Sequence, residues 1–140
     1  MRDNSLILSN EQAVTATADS TNHIDLGAGT DHKGNALIPG AGRTGKMFLN
    51  ITVDVTTTSA GATTADFALQ DSADDTSFAA TPIIISAVAK ATLVAGYRVM
   101  RMPLPPNLRR YVKVVYTVNV ADFTAGKFSA SLDWGAEQLT

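Results

Sequence analysis

The sequence predicts an all-β chain: an antiparallel two-sheet sandwich of about eight strands, in jelly-roll or Ig-like order. Three features point there. Apolar residues recur at every second position through most of the chain, which is the period of a half-buried strand. No segment of useful helical length stands out. Small and polar turn residues break the alternating runs at short intervals. The 140 residues fit a single domain, 1–140. A chain of this size buries roughly 68–70% of its unfolded surface, enough for a core without staples.

The first ten residues, MRDNSLILSN, read as an N-terminal arm. Its Leu6-Ile7-Leu8 would pack on the parent domain or clamp a neighbouring subunit. Gln12 to Ala18 and His23 to Leu26 are weaker strand candidates, split by the turn-like Asp19-Ser20-Thr21-Asn22. Gly27 to Gly45 holds six of the ten glycines and one proline, and reads as a long irregular loop. The clearest strand follows Lys46. Leu49, Ile51, Val53 and Val55 alternate with Asn50, Thr52 and Asp54. Ser59-Ala60-Gly61 predicts a hairpin turn, with Phe67 and Leu69 on one face of the returning strand.

Asp71 to Ala80 is polar and reads as a connection. Ile83-Ile84-Ile85 reads as an inner strand or one buried on both faces. Ala87 to Thr92 reads as a loop or one helical turn. Leu93 to Met102 is a further strand, ended by Pro103, Pro105 and Pro106 because proline cannot donate to a ladder. In Arg110 to Val120, Val112, Val114, Tyr116 and Val118 share a face. Asp122 to Gly126 reads as a turn. Phe128, Ala130, Leu132 and Trp134 then alternate with Lys127, Ser129, Ser131 and Asp133.

Composition excludes several chemistries. With no cysteine there is no disulfide, thiolate metal site or cysteine nucleophile. A net charge of −2 does not suit a bulk polyanion binder. Charged residues are 17% of the chain, below the usual quarter. No run approaches the ~20 apolar residues of a membrane span. Leu6 to Leu8 is too short for a signal-peptide core, so the chain reads as a soluble protein that is not exported.

The motifs that look chemical lack their context. Gly40 to Lys46 fits GxxxxGK, but a strand follows where a phosphate loop needs a helix, and Met47 stands where Ser or Thr should reach magnesium. His23, Asp25, Asp31 and His32 are chemically suited to a metal, yet nothing in the spacing joins them. No GxSxG elbow is present, and Asp74-Asp75 reads as a solvated turn. The expectation is a protein with no catalytic residue, no cofactor, no metal and no small-molecule substrate.

One charge pattern is distinctive. No Asp or Glu occurs between Asp75 and Asp122, while Lys90, Arg98, Arg101, Arg109, Arg110 and Lys113 lie in that interval. Arg98, Arg101, Arg109, Arg110 and Lys113 are the candidate protein-binding residues, since a guanidinium fork matches carboxylates. Charge reversal at Arg109 and Arg110 is expected to weaken docking and spare the fold. Nucleic acid is disfavoured by the slightly acidic chain. Trp134 with Tyr97, Tyr111 and Tyr116 suits a sugar-stacking platform, which makes a carbohydrate-binding or adhesin-like module the alternative.

Several segments resemble the small capsid cement (decoration) proteins of tailed bacteriophages, of the Bordetella phage type. These are Gln12 to Gly27 (QAVTATADSTNHIDLG), Phe67-Ala-Leu-Gln70 with Phe78, Leu93-Val-Ala-Gly-Tyr-Arg98, and Arg110 to Thr117 with Phe123-Thr-Ala-Gly126 as a closing hairpin. They follow one another in the right order over most of the chain. The resemblance implies a jelly-roll-like sandwich on the outer surface of the head. It also implies homodimers that bridge neighbouring major capsid protein subunits, with assembly in the host cytoplasm. It carries no catalytic residues, no nucleic-acid partner and no membrane partner.

Overall fold

Alternation gives each strand one aliphatic face, and two such faces must meet to leave water. The structure, a computed structural model, describes residues 7–25, 47–104 and 109–134, without the side chains of Met47, Pro82 and Trp134. Nine strands form among these residues: β1 (Ile7–Ala13), β2 (Ala18–Asp19), β3 (Ile24–Asp25), β4 (Met47–Ser59), β5 (Thr64–Ser72), β6 (Ala79–Ala89), β7 (Arg98–Pro103), β8 (Tyr111–Asn119) and β9 (Phe123–Trp134). One sheet runs β1-β9-β4-β7. The other runs β2-β8-β5-β6, with β3 also on β8.

This order decides between the two candidate sandwiches. Taken as one position, β2 and β3 give a chain of eight strand positions. The first pairs with the last (β1–β9), the second with the seventh (β2 and β3 with β8), the third with the sixth (β4–β7) and the fourth with the fifth (β5–β6). Every pairing is antiparallel. Nested pairing of this kind is a jelly roll. The inner pairs β4–β9 and β5–β8 complete the two sheets.

The core is the sum of the inward positions. Leu49, Ile51 and Val53 of β4, with Phe128, Ala130 and Leu132 of β9, are buried against Phe67 and Leu69 of β5 and Val112, Val114 and Tyr116 of β8. Three rings interlock between the sheets. Phe67 meets Tyr116 edge-on at 5.8 Å and Phe128 edge-on at 5.3 Å, while Tyr116 stacks on Phe128 at 5.6 Å. Such pairs add about 0.5–1.5 kcal/mol beyond area burial. The Tyr116 hydroxyl donates to Ser9 Oγ (2.8 Å), and Ser9 donates to Gln12 (2.7 Å). Burial pushes the phenol up to about 12. Gln12 Nε2 in turn donates to the Asp19 carbonyl (2.8 Å), so this chain of bonds closes the seam between β1 and β2. Where β9 passes the irregular part of β4, Gly126 has φ +149°, and a Cβ there would sit 2.8 Å from Thr57 Cγ2.

Several elements differ from their sequence reading. The first strand begins at Ile7, and Leu8 is fully buried. Residues 7–10 therefore belong to the sandwich rather than to an arm. Residues 1–6 and the loop 27–45 lie outside the described residues. The two expected hairpins are crossings: β4 and β5 lie in different sheets, and so do β8 and β9. Ile83-Ile84-Ile85 lies on the edge strand β6, with Ile84 53% exposed. The strand expected from Leu93 starts only at Arg98. Leu93–Tyr97 instead follows β4 through Thr57 N–H to Leu93 O (3.0 Å) and Gly96 N–H to Val53 O (2.8 Å). Ala87–Ala89 extend β6, and Phe123–Gly126 belong to β9 rather than to a turn.

Candidate functional site

The five cationic candidates do not gather into one patch. Arg98 and Arg101 are on β7, in the four-stranded sheet. Arg109, Arg110 and Lys113 precede or lie on β8, in the other sheet. Four of the five are tied to carboxylates of the same chain. Arg101 meets Asp133 at 3.4 Å, Arg109 meets Asp71 at 3.0 Å, Arg110 meets Asp25 at 2.8 Å and Lys113 meets Asp19 at 2.8 Å. Arg98 is exposed, and no described carboxylate pairs with it. The acid-free interval thus supplies one half of a set of cross-strand braces.

The strands explain the pairing. Asp25 lies opposite Tyr111 and Asp19 opposite Val115 on β8. The outward Lys113 falls between them, and Arg110 just before. Arg110 grips Asp25 with two bonds, Nε to Oδ1 and an amine to Oδ2, both 2.8 Å. That fork raises the guanidinium further. It also stacks over Tyr111 at 5.0 Å, and Lys113 Nζ sits 4.4 Å over the Phe78 ring. His23 meets Phe78 edge-on at 5.0 Å and holds Asp75 through Nδ1 at 2.7 Å. Exposed pairs of this kind each contribute little on their own.

Arg109 is held more deeply. Its backbone N–H, Nε and one amine all donate to the buried Asp71 carboxylate (3.0, 3.2 and 3.0 Å), and the amine also reaches the Asp71 carbonyl (2.7 Å). In the loop before β6, Asp74 accepts N–H bonds from Ser77 (2.9 Å) and Thr76 (3.0 Å) and the Ser72 hydroxyl (2.8 Å). These hold its carboxyl down at about 2, the Ser77 amide contributing most. Asp74 thus shapes a turn, as the sequence reading expects.

The other candidates stay apart. His23 and Asp25 belong to separate ion pairs, while Asp31, His32 and the Gly40–Lys46 motif lie outside the described residues. Among the described residues, no three His, Cys, Asp or Glu side chains gather to hold a metal ion. Tyr116 is buried in the core, Tyr111 lies under Arg110 and Tyr97 is in the segment before β7. These three tyrosines do not form a sugar platform, and the Trp134 side chain lies outside the described residues.

What the sequence reading missed is a difference between the two ends of the sandwich. The end carrying 73–78 and 109–110 holds Asp74, Asp75, Arg109 and Arg110. The opposite end is made by the four links 14–17, 60–63, 90–97 and 120–122. These contain only Lys90 and Asp122 as charged residues, and Lys90 Nζ is taken up by the Ser59 carbonyl at 2.8 Å. Val120 (82%) is exposed there, while Val94 (45%) is exposed beside β4, where 93–97 runs back along Val53–Thr57. The signal was present in the composition of the links, once topology says which of them share an end.

The family model Bbp16 matches residues 8–132, and the chain belongs to that family. The name suggests a protein of a Bordetella phage. No curated protein matches the chain.

Two outcomes follow from the braces. Arg109→Glu removes the guanidinium donors of the Asp71 carboxylate, leaving only the backbone N–H of position 109, and places a like charge beside it. The expected loss is about 1–2 kcal/mol after allowing for solvent at the guanidinium, read from urea unfolding; unchanged stability would remove Arg109 as an anchor. For Asp74 the folded carboxyl lies below its unfolded value of 3.8, at about 2. Its contribution is present above pH ~4 and is lost as pH falls through ~2. The stability gap between wild type and Asp74→Ala should close over that window in acid titrations of unfolding.

Proposed function

We propose that this chain, a member of the Bbp16 family, is a structural virion protein that cements the capsid from its outer surface. One observation carries the reading: the family match, 8–132, runs from β1 to within two residues of the end of β9. The family's unit is thus the jelly roll itself, and its function is to be sought in the body and surface of that sandwich. Jelly rolls recur in viral capsid domains, which is support by analogy of fold. The cement-protein segments noted in the sequence fall on β1 to β3, on β5, at the entry to β7, on β8 and at the start of β9. The resemblance thus follows the sandwich through both sheets.

The mechanism is linkage. A protein that binds the assembled lattice, and not the dispersed subunits, stabilises the lattice by about 2.7 kcal/mol per site at a hundredfold excess over Kd. A body that bridges neighbouring major capsid protein subunits adds avidity across each junction. A rigid sandwich suits this, because little conformational entropy is lost when it docks. The work is binding rather than bond-making, and assembly takes place in the host cytoplasm. Homodimerisation would double the points of attachment.

Sedimentation of the purified protein with undecorated heads tests the reading. It predicts saturable co-sedimentation, and heads that withstand higher temperature when decorated. Protein that stays in the supernatant at every concentration would overturn it.

A further inference from the structure

Resting on the cement reading for its setting, we infer that a second copy of this chain pairs antiparallel with the edge strand β6, about a twofold axis at Ile84. The five-stranded sheets of the two copies then run on as one.

A sheet edge presents unpaired N–H and C=O groups, and proteins guard it with charge, proline, short strands or a covering segment. Three of the four edges here are guarded. On β1, Asn22 N–H donates to the Leu8 carbonyl (2.9 Å) and Asn22 Nδ2 to the Ile7 carbonyl (3.2 Å), so the chain covers its own edge. β2 and β3 have two residues each. β7 carries Arg98, Arg101 and Pro103 within six residues. The fourth edge, β6, is eleven residues long and has no charged side chain.

The ladder shows which backbone groups β6 has to offer. The Leu69 carbonyl accepts the Thr81 hydroxyl (2.9 Å), so it is turned towards β6. β5 keeps an unbroken register with β8 from Thr64 to Ser72, and Phe67, two residues earlier, is therefore turned the same way. Phe67 lies opposite Ile85, and Ala68 opposite Ile84. Ile85 thus bonds to β5, and the N–H and C=O of Ile84 face out from the edge. Bulges stand on either side. β6 gains residues between Ala80 and Ile84, and again between Ile85 and Val88, where Ala87 has φ +58°. They confine pairing to the isoleucine run and hold its register.

The side chains match that axis. Ile84 is 53% exposed, while Ile83 is buried and Ile85 packs against the core. On the outer sheet face Val115, Ala68 and Ile84 stand in one row across β8, β5 and β6. With the axis at Ile84, the partner's Ile84 stands directly opposite and carries this row into the second copy. Ile83 then faces the partner's Ile85 on the inner side, and the aliphatic layer continues between the copies.

The same features select the occupant. A twofold contact sets a segment against itself, and three isoleucines in a row are their own complement. No charge in β6 repels its copy, whereas the same operation on β7 would bring Arg98 and Arg101 up against their own copies. The ladder is short, and Pro82 has no N–H to add to it. The free dimer is therefore weak and reversible. On the shell, two attachments per dimer strengthen it.

Sedimentation equilibrium of the free protein, up to millimolar concentration, tests the contact. Wild type is expected to show reversible monomer and dimer. Ile84→Lys changes an exposed group and should melt with wild type, yet raise the dimer dissociation constant about tenfold or more. Val94→Lys, 45% exposed beside β4, should stay within about twofold. A cross-link gives a second readout, because the chain has no cysteine. Residues opposite each other in a hydrogen-bonded pair have Cα atoms about 5.5 Å apart, within disulfide reach. With oxidised glutathione, Ile84→Cys should form a covalent dimer much faster than Val94→Cys. A wild type that stays monomeric, or an Ile84→Lys dimer as tight as wild type, overturns the inference. Binding to undecorated heads keeps the two readings apart. If heads bind wild type while Ile84→Lys dimerises normally, the edge contact is wrong and the cement reading stands. If Ile84→Lys dissociates the dimer but heads never bind wild type, the cement reading falls and the contact stands. If wild type is monomeric and Ile84→Lys loses its heads, a capsid strand takes the edge in place of a second copy.

Discussion

Two sheets that each hide only one face depend on what fills the space between them. Here that space is set by the Phe67, Tyr116 and Phe128 rings, which come from three strands in two sheets. Phe128 is supplied by β9, which pairs with both β1 and β4; Phe67 and Tyr116 lie opposite each other across β5 and β8. The rings therefore fix the distance between sheets and the register of the four central strands at once. Moving any of these strands by one residue would turn its aliphatic side chains to solvent. The Tyr116 hydroxyl extends this control through Ser9 and Gln12 to the β1–β2 seam.

With the interior settled by aromatics and aliphatics, the charged residues are free for the outside, and they are spent unevenly. Asp19, Asp25, Asp71 and Asp133 each take one cation. The pairs on β8 fasten the two shortest strands, whose backbone bonds alone are too few to hold them. Individually such braces are weak; together they localise charge at one end and along the sheet faces. The links at the other end carry two charged residues, Lys90 and Asp122, and hold one another by hydrogen bonds.

Much of the fold was legible in the sequence. The alternation in Leu49 to Val53, in Val112 to Tyr116 and in Phe128 to Leu132 reads directly as inward and outward faces, and burial follows it; beyond Val53 a register shift turns Val55 out to solvent. Strand partners were not legible, because a turn looks alike whether the chain returns beside itself or crosses to the other sheet. Ser59-Ala60-Gly61 is such a crossing. The triple isoleucine misled for a related reason: hydrophobicity does not say whether a strand is central or an edge. The partners of the cationic interval were the least legible. Arg110 and Asp25 stand 85 positions apart and Lys113 and Asp19 stand 94 apart, so a run free of acid looked like an open patch until the topology brought the acids back.

Hydrogen exchange on the free and head-bound protein tests most directly the claim that a fixed aromatic-keyed sandwich docks as one ordered body. The account predicts slow exchange in the central strands β4, β5, β8 and β9 in both states, with new protection on binding confined to surface segments outside those strands. Rapid exchange in the central strands of the free protein, or no new protection in the presence of heads, would contradict it.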